Sequence, residues 1–134
     1  MGIKTTFNHL EIYVSDKKIS FAFYKDLLSY LDYEVILEDE DHLGMKNGSS
    51  EMWFKEVPED GKEGKYSRRN VGLNHLAFGV SKKEDVDKFV GEFLVPKNMR
   101  MLYDSPKPFP QYTENYYAVY FEDPDKIKLE VVFL

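Results

Sequence analysis

The chain contains no cysteine, only three histidines and no apolar run near the about 20 residues that span a bilayer. Without cysteine there are no disulfides, no thiolate metal ligands and no cysteine nucleophile. Positive charge is nowhere concentrated into a patch. The net charge is −6, acidic and basic residues are interspersed, and Arg68-Arg69 is the only arginine pair. Phosphate contacts need a basic face, so nucleic acid is not expected as a partner. The opening Met-Gly-Ile-Lys-Thr-Thr-Phe leads at once into a polar, strand-like stretch and does not read as a signal peptide. The expectation is a cytoplasmic protein with no membrane partner. A length of 134 residues fits one domain, and a hydrophobic fraction of 43%, with ten Phe and ten Tyr, supplies a sizeable core.

Against that background, two of the three histidines occupy copies of one phrase. Residues 8–15 read N-H-L-E-I-Y-V-S and residues 74–81 read N-H-L-A-F-G-V-S, so five of eight letters match. His9 and His75 lie 66 positions apart, half the chain, which marks a doubled module.

Each copy predicts β-α-β-β-β. Residues 7–14 alternate with the period of a half-buried strand. Ser15 or Asp16 caps a helix through about Leu28, with Phe23, Tyr24, Leu27, Leu28 and Leu31 on one apolar face. Strands follow at 33–38, 43–46 and 51–55, the last introduced by the hairpin signal Asn47-Gly48. Residues 58–70 form a polar linker, with module 1 at about 5–57 and module 2 at about 71–134. The second copy has a strand at 73–80 and a capping-box pattern at Ser81–Glu84. A helix then runs to about Leu94, stopped by Pro96. Next come a strand at 99–103, a long Pro-rich loop at 105–115 and a hairpin of 116–121 with 127–133.

Alternation places His9, Glu11 and Tyr13 on one face of the first strand, and His75, Ala77 and Gly79 on one face of its counterpart. The closing strands place Glu51 with Trp53, and Glu130, away from the Met, Leu, Val and Phe positions that suit the helices. The two glutamates read as comparable positions. Each half thus offers one His and one Glu on its helix-free face. A borderline divalent ion takes imidazole nitrogen and carboxylate oxygen readily. It polarises substrate oxygens without redox change, while a ligating Glu acts as base. A lone His or Glu on such a face is usually only solvated; two in register across a repeat point further. Tyr13, Trp53, Tyr116 and Tyr120, with Glu11, are the candidate substrate pocket, covered by the loop bearing Phe109 and Tyr112. Arg68 and Arg69 read as a solvated linker, and His42 as a surface residue of an acidic turn.

The opening phrase, the helix phrase Ser20–Leu28, the second His-Leu-Ala-Phe and the ending Tyr120-Phe-Glu-Asp-Pro-Asp…Leu129-Glu130 together resemble the vicinal oxygen chelate superfamily. That family includes glyoxalase I, bleomycin-resistance proteins, fosfomycin-resistance thiol transferases and extradiol dioxygenases. The resemblance implies an α+β fold of two tandem βαβββ modules, forming a curved mixed sheet around a cavity with helices on the outer face. It implies His9, Glu51, His75 and Glu130 as metal ligands, Glu130 and Glu51 as base candidates, and Tyr120 facing the cavity. The ligand pattern is most similar to glyoxalase I. It implies nickel or zinc, with cobalt, manganese or iron as further options, a small-molecule substrate and a homodimer. The alternatives are a metal-free drug-binding protein and an extradiol dioxygenase, in which His42 would have to serve as an additional catalytic histidine. Two departures from the family pattern are Lys126 where Gly follows Asp-Pro-Asp, and Ser29 after Leu28 where Gly is usual.

Overall fold

A computed structural model describes residues 2–134. The chain divides into two compact units, one ending at Lys65 and the other spanning Tyr66–Leu134.

The N-terminal unit holds β1 (His9–Val14), α1 (Lys17–Tyr30), β2 (Glu34–Glu38), β3 (His42–Asn47) and β4 (Ser50–Glu56), with a 3-10 turn at Glu59–Gly61. Its sheet has the order β1-β4-β3-β2, in which β1 and β4 are parallel and the other pairings antiparallel. Asp16 caps α1, its Oδ1 accepting from the amides of Lys18 at 2.9 Å and Ile19 at 3.3 Å. The helix closes through Asp32 in the left-handed region (φ 69°), with the Tyr33 amide bonded to the Leu28 carbonyl at 2.8 Å. One sheet face buries Ile12, Val14, Leu43, Met45, Met52 and Phe54; Tyr24, Leu27 and Leu28 of α1 are buried as well. Tyr24 and Phe54 stack with ring centroids 4.1 Å apart.

The C-terminal unit repeats the plan with β5 (His75–Gly79), α2 (Lys83–Phe89), a π-helical turn (Val90–Leu94), β6 (Leu102–Pro108), β7 (Tyr117–Glu122) and β8 (Lys128–Phe133). Its sheet order is β5-β8-β7-β6, with β5 and β8 parallel. Val119, Phe121, Leu129 and Val131 are buried with Val86, Phe89, Phe93 and Leu94 of the helical segment. Phe89 packs 5.3 Å from both Phe93 and Phe121.

Three local expectations change. The capping box at Ser81–Glu84 does not form: Lys82 is the N-cap and no side chain caps the helix. The Pro-rich stretch is not all loop, because β6 runs on to Pro108 as a strand. It does so through a register break between Leu102 and Lys107. Tyr103 and Asp104 turn left-handed there (φ 59° and 53°). The buried Ser105 hydroxyl bridges the gap, donating to the Leu102 carbonyl at 2.5 Å and accepting from the Tyr120 amide at 3.0 Å. An edge strand tolerates proline where a central strand does not. The third change concerns Arg68. Residues from Tyr66 onward belong to the C-terminal unit, with Arg68 Nη1 on Glu122 at 2.7 Å and Tyr66 Oη on the Leu73 carbonyl at 2.6 Å. Arg68 is therefore a clamp onto the end of β7 and not a solvated linker residue.

Candidate functional site

In the N-terminal unit the helix-free face begins at the β1–β4 pair. His9 is registered beside Glu51, and Glu11 beside Trp53. His9, Glu11 and Tyr13 are exposed; Glu51 and Trp53 are half-buried. Trp53 crosses β3 over Gly44, where a Cβ would stand 2.6 Å from the indole Cζ3, so the ring occupies the space that only a glycine leaves open. The indole Nε1 donates to Glu51 Oε1 at 2.9 Å. His9 Nδ1 lies 2.6 Å from Asn8 Oδ1, which leaves Nε2 as the outward nitrogen.

The corresponding face of the C-terminal unit is deeper. Glu130 on β8 is fully buried. Its Oε2 accepts a hydrogen bond from the Tyr116 hydroxyl. Its Oε1 lies 3.1 Å from His75 Nε2 yet accepts no hydrogen bond. His75 Nδ1 is 2.7 Å from Asn74 Oδ1. Above this carboxylate lie aromatic rings: Tyr120, buried, and Tyr116, both edge-on to the buried Phe109, which stacks on the exposed Tyr112. The Pro-rich loop thus covers the same face as Tyr116, Ala118 and Tyr120. Burial, then donation to Glu130, raises the Tyr116 phenol above the ordinary tyrosine range. Burial and the neighbouring Tyr116 raise Tyr120 as well. Both remain neutral donors at physiological pH.

The two glutamates are not equivalent, which corrects the sequence reading. His9 is registered with Glu51, but His75 is registered with Lys128, and Glu130 stands two residues further, beside Ala77. Strand for strand, Glu51 corresponds to Lys128 and Trp53 to Glu130. A displacement of two keeps each residue on its face, so alternation alone could not reveal it.

The remaining predicted residues fall away from these pairs. Tyr13 is 55% exposed and makes no ring contact among those described. His42 opens β3, with Nδ1 3.2 Å from Asp39 Oδ1. Sequence reasoning gave no role to Asn8 and Asn74, although both belong to the duplicated phrase and each touches its histidine.

Comparison with known proteins decides the family. Residues 6–131 match the model for the Glyoxalase/Bleomycin resistance protein/Dioxygenase superfamily. The chain belongs to this superfamily. It is 37% identical over 125 residues to the uncharacterized protein YqjT of Bacillus subtilis (strain 168), covering 93% of this chain and 96% of that one. It is also similar to a solved Bacillus halodurans protein, provisionally named a glyoxalase. That pair shares 33% identity and a TM-score of 0.86, with 96% of this chain and 95% of the other covered. Lactoylglutathione lyase from Agrobacterium tumefaciens shares the fold at a TM-score of 0.70 and 19% identity, over 97% of this chain and 94% of that one.

Within the superfamily pattern, Lys126 stands where glycine is usual. The structure puts it in the left-handed region (φ 67°), inside a turn organised by Asp123 Oδ1, which accepts from the amides of Asp125 and Ile127 at 2.8 Å each. The turn keeps its geometry through Asp123 while lysine takes the conformation glycine would adopt most easily.

Superfamily members commonly use divalent metals. Among the described residues no three His, Asp or Glu side chains form a ready cluster. Each unit by itself presents a pair. The C-terminal pair fits a cation on two counts. An orphaned carboxylate oxygen is buried beside an imidazole nitrogen. The other imidazole nitrogen is already engaged by Asn74. A buried polar atom without a partner is costly, and a bound ion removes that cost.

Proposed function

We propose that the chain is a divalent-metal-dependent, glyoxalase-like enzyme of lyase or isomerase type, acting on a small molecule with vicinal oxygens. The unpartnered Glu130 Oε1 beside His75 Nε2 carries this reading. Each unit would supply its own pair of ligands, His9 with Glu51 and His75 with Glu130; nickel or zinc is the ion that the likeness to glyoxalase I implies, with cobalt, manganese or iron as substitutes. When bound, the ion supplies a Lewis acid for the substrate oxygens. The protein's own groups then handle the proton. Tyr116 holds Glu130 by Oε2, and Oε1, once it lets go of the ion, would take a proton from the carbon next to a substrate carbonyl, the electron pair passing to the carbonyl oxygen. Glu51, steadied by the Trp53 indole, is the second base candidate. Phe109, Tyr112, Tyr116 and Tyr120 suit an apolar or aromatic substrate body and exclude water around the carboxylate. A single vicinal-oxygen-chelate domain working as a cytoplasmic homodimer completes the proposal. No helix among the described residues is long and apolar enough to cross a membrane.

Metal analysis of protein purified without chelator tests this reading. Near-stoichiometric nickel or zinc is expected. Less than about a tenth of an equivalent, with no uptake of added nickel, zinc, cobalt or manganese, sinks it. A second reading, a metal-free drug-binding protein, draws on the aromatic cluster of the C-terminal unit. It predicts ligand-induced thermal stabilisation that persists in EDTA and in His75→Ala.

A further inference from the structure

In each copy of the duplicated phrase an asparagine carbonyl oxygen sits against the Nδ1 of the histidine that follows, at 2.6 Å for Asn8 and His9 and 2.7 Å for Asn74 and His75. An oxygen can only accept, so at that distance the proton belongs on Nδ1. The orientation of the Asn74 amide is itself fixed, because its Nδ2 donates to the Arg68 carbonyl at 3.3 Å. Arg68 is held in turn by Glu122 and by the Lys126 carbonyl. The chain of contacts therefore runs from the β7–β8 turn, through Arg68 and Asn74, to the protonation pattern of one imidazole.

We infer that Asn8 and Asn74 are positioning residues that lock His9 and His75 as the Nδ1–H tautomer, presenting the Nε2 lone pair outward. Neutral imidazole in water favours the opposite form, with the proton on Nε2, so the protein holds both rings in the less common state. The consequence is clearest in the C-terminal unit. With the proton on Nδ1, His75 Nε2 and Glu130 Oε1 are two lone-pair atoms 3.1 Å apart with nothing between them to donate. Two bare acceptors side by side describe a pair prepared for a cation. The tautomer is a property of the metal-free chain; its use in holding an ion rests on the function proposed above.

The test is long-range proton–nitrogen NMR of histidine-labelled, EDTA-treated protein at mildly alkaline pH, followed by zinc titration by calorimetry. His9 and His75 should show the Nδ1–H pattern and His42 serves as internal comparison. Asn74→Ala should return His75 to the Nε2–H pattern, leave His9 unchanged and weaken zinc binding about 10- to 100-fold. Asn74→Asp, which keeps the acceptor, should retain the wild-type pattern. Asn8→Ala should act on His9 alone, which guards against a variant that simply misfolds. An Nε2–H pattern for His75 in the wild type, or one that Asn74→Ala leaves unmoved, overturns the inference. Nδ1–H patterns in a protein that takes no zinc support the positioning role and overturn the metal reading instead.

Discussion

The N-terminal and C-terminal units share a strand order, a parallel pair at one edge and an Asn-His phrase, yet they present their carboxylates differently. Glu51 sits beside its histidine, half-buried, with one oxygen on an indole. Glu130 is fully buried, two residues further along its strand, tied to a tyrosine and left with a bare oxygen beside an imidazole. The lesson is that duplication preserved the scaffold and the histidines while the acidic partner was set independently in each half. The C-terminal unit carries the more constrained pair, and the N-terminal unit the more accessible one.

The comparison breaks most visibly in the cores. Phe54→Ala in the N-terminal unit and Phe121→Ala in the C-terminal unit should each cost about 3–5 kcal/mol in urea unfolding, since both rings are fully buried against other aromatics. A small loss at either site means that unit is not packed around the stack described. Next come the carboxylates. Glu130→Gln should weaken zinc binding by more than about 100-fold and Glu51→Gln by about 10-fold or less, read by calorimetry, because only Glu130 offers a buried, unshared oxygen. Equal losses would erase the asymmetry.

Gly44→Ala places a methyl against the Trp53 ring and should destabilise by about 1–3 kcal/mol. Trp53 is the chain's single tryptophan, so its emission should shift as the indole leaves Glu51; unchanged emission would mean the ring was not seated over Gly44. The smallest contrast lies at the helix starts. Asp16→Ala should cost about 1 kcal/mol, while Ser81→Ala should stay within about 0.5 kcal/mol, because only Asp16 makes a cap. Equal thermal shifts for the two variants would count against the difference in capping.

Much of this was legible in the chain itself. Period-two alternation placed Met52, Phe54, Val119 and Phe121 toward the helices, and Phe54 stacks on Tyr24 of α1 while Phe121 packs on Phe89 of α2. The duplicated phrase located both parallel edge strands. Register was not legible, because pairing between β5 and β8 is set by backbone hydrogen bonds, and a displacement of two leaves the hydrophobic pattern unchanged. The Ser81 cap failed for a related reason. A local motif is only an offer to the backbone, and here the helix begins one residue later, with Lys82 as its cap. The strand in the Pro-rich segment was hidden because prolines mask an edge strand whose gap is filled by one serine hydroxyl. The asparagines were in plain view; a short polar residue before a histidine carries no periodic signal, and only its contact distance reveals a role.

The two-residue offset between Glu51 and Glu130 has a consequence for how such proteins diversify. A strand can change which side chain it offers beside a neighbouring histidine only in steps of two, since a single step would turn its hydrophobic face outward. Within that rule each step is nearly free: the core face sees one apolar residue replaced by the next, while the working face exchanges Trp for Glu or Glu for Lys. A doubled sheet therefore behaves like a pair of independently indexed dials. Each can click to a new chemical setting without disturbing its own mounting, and the two halves need not show the same setting for the fold to persist.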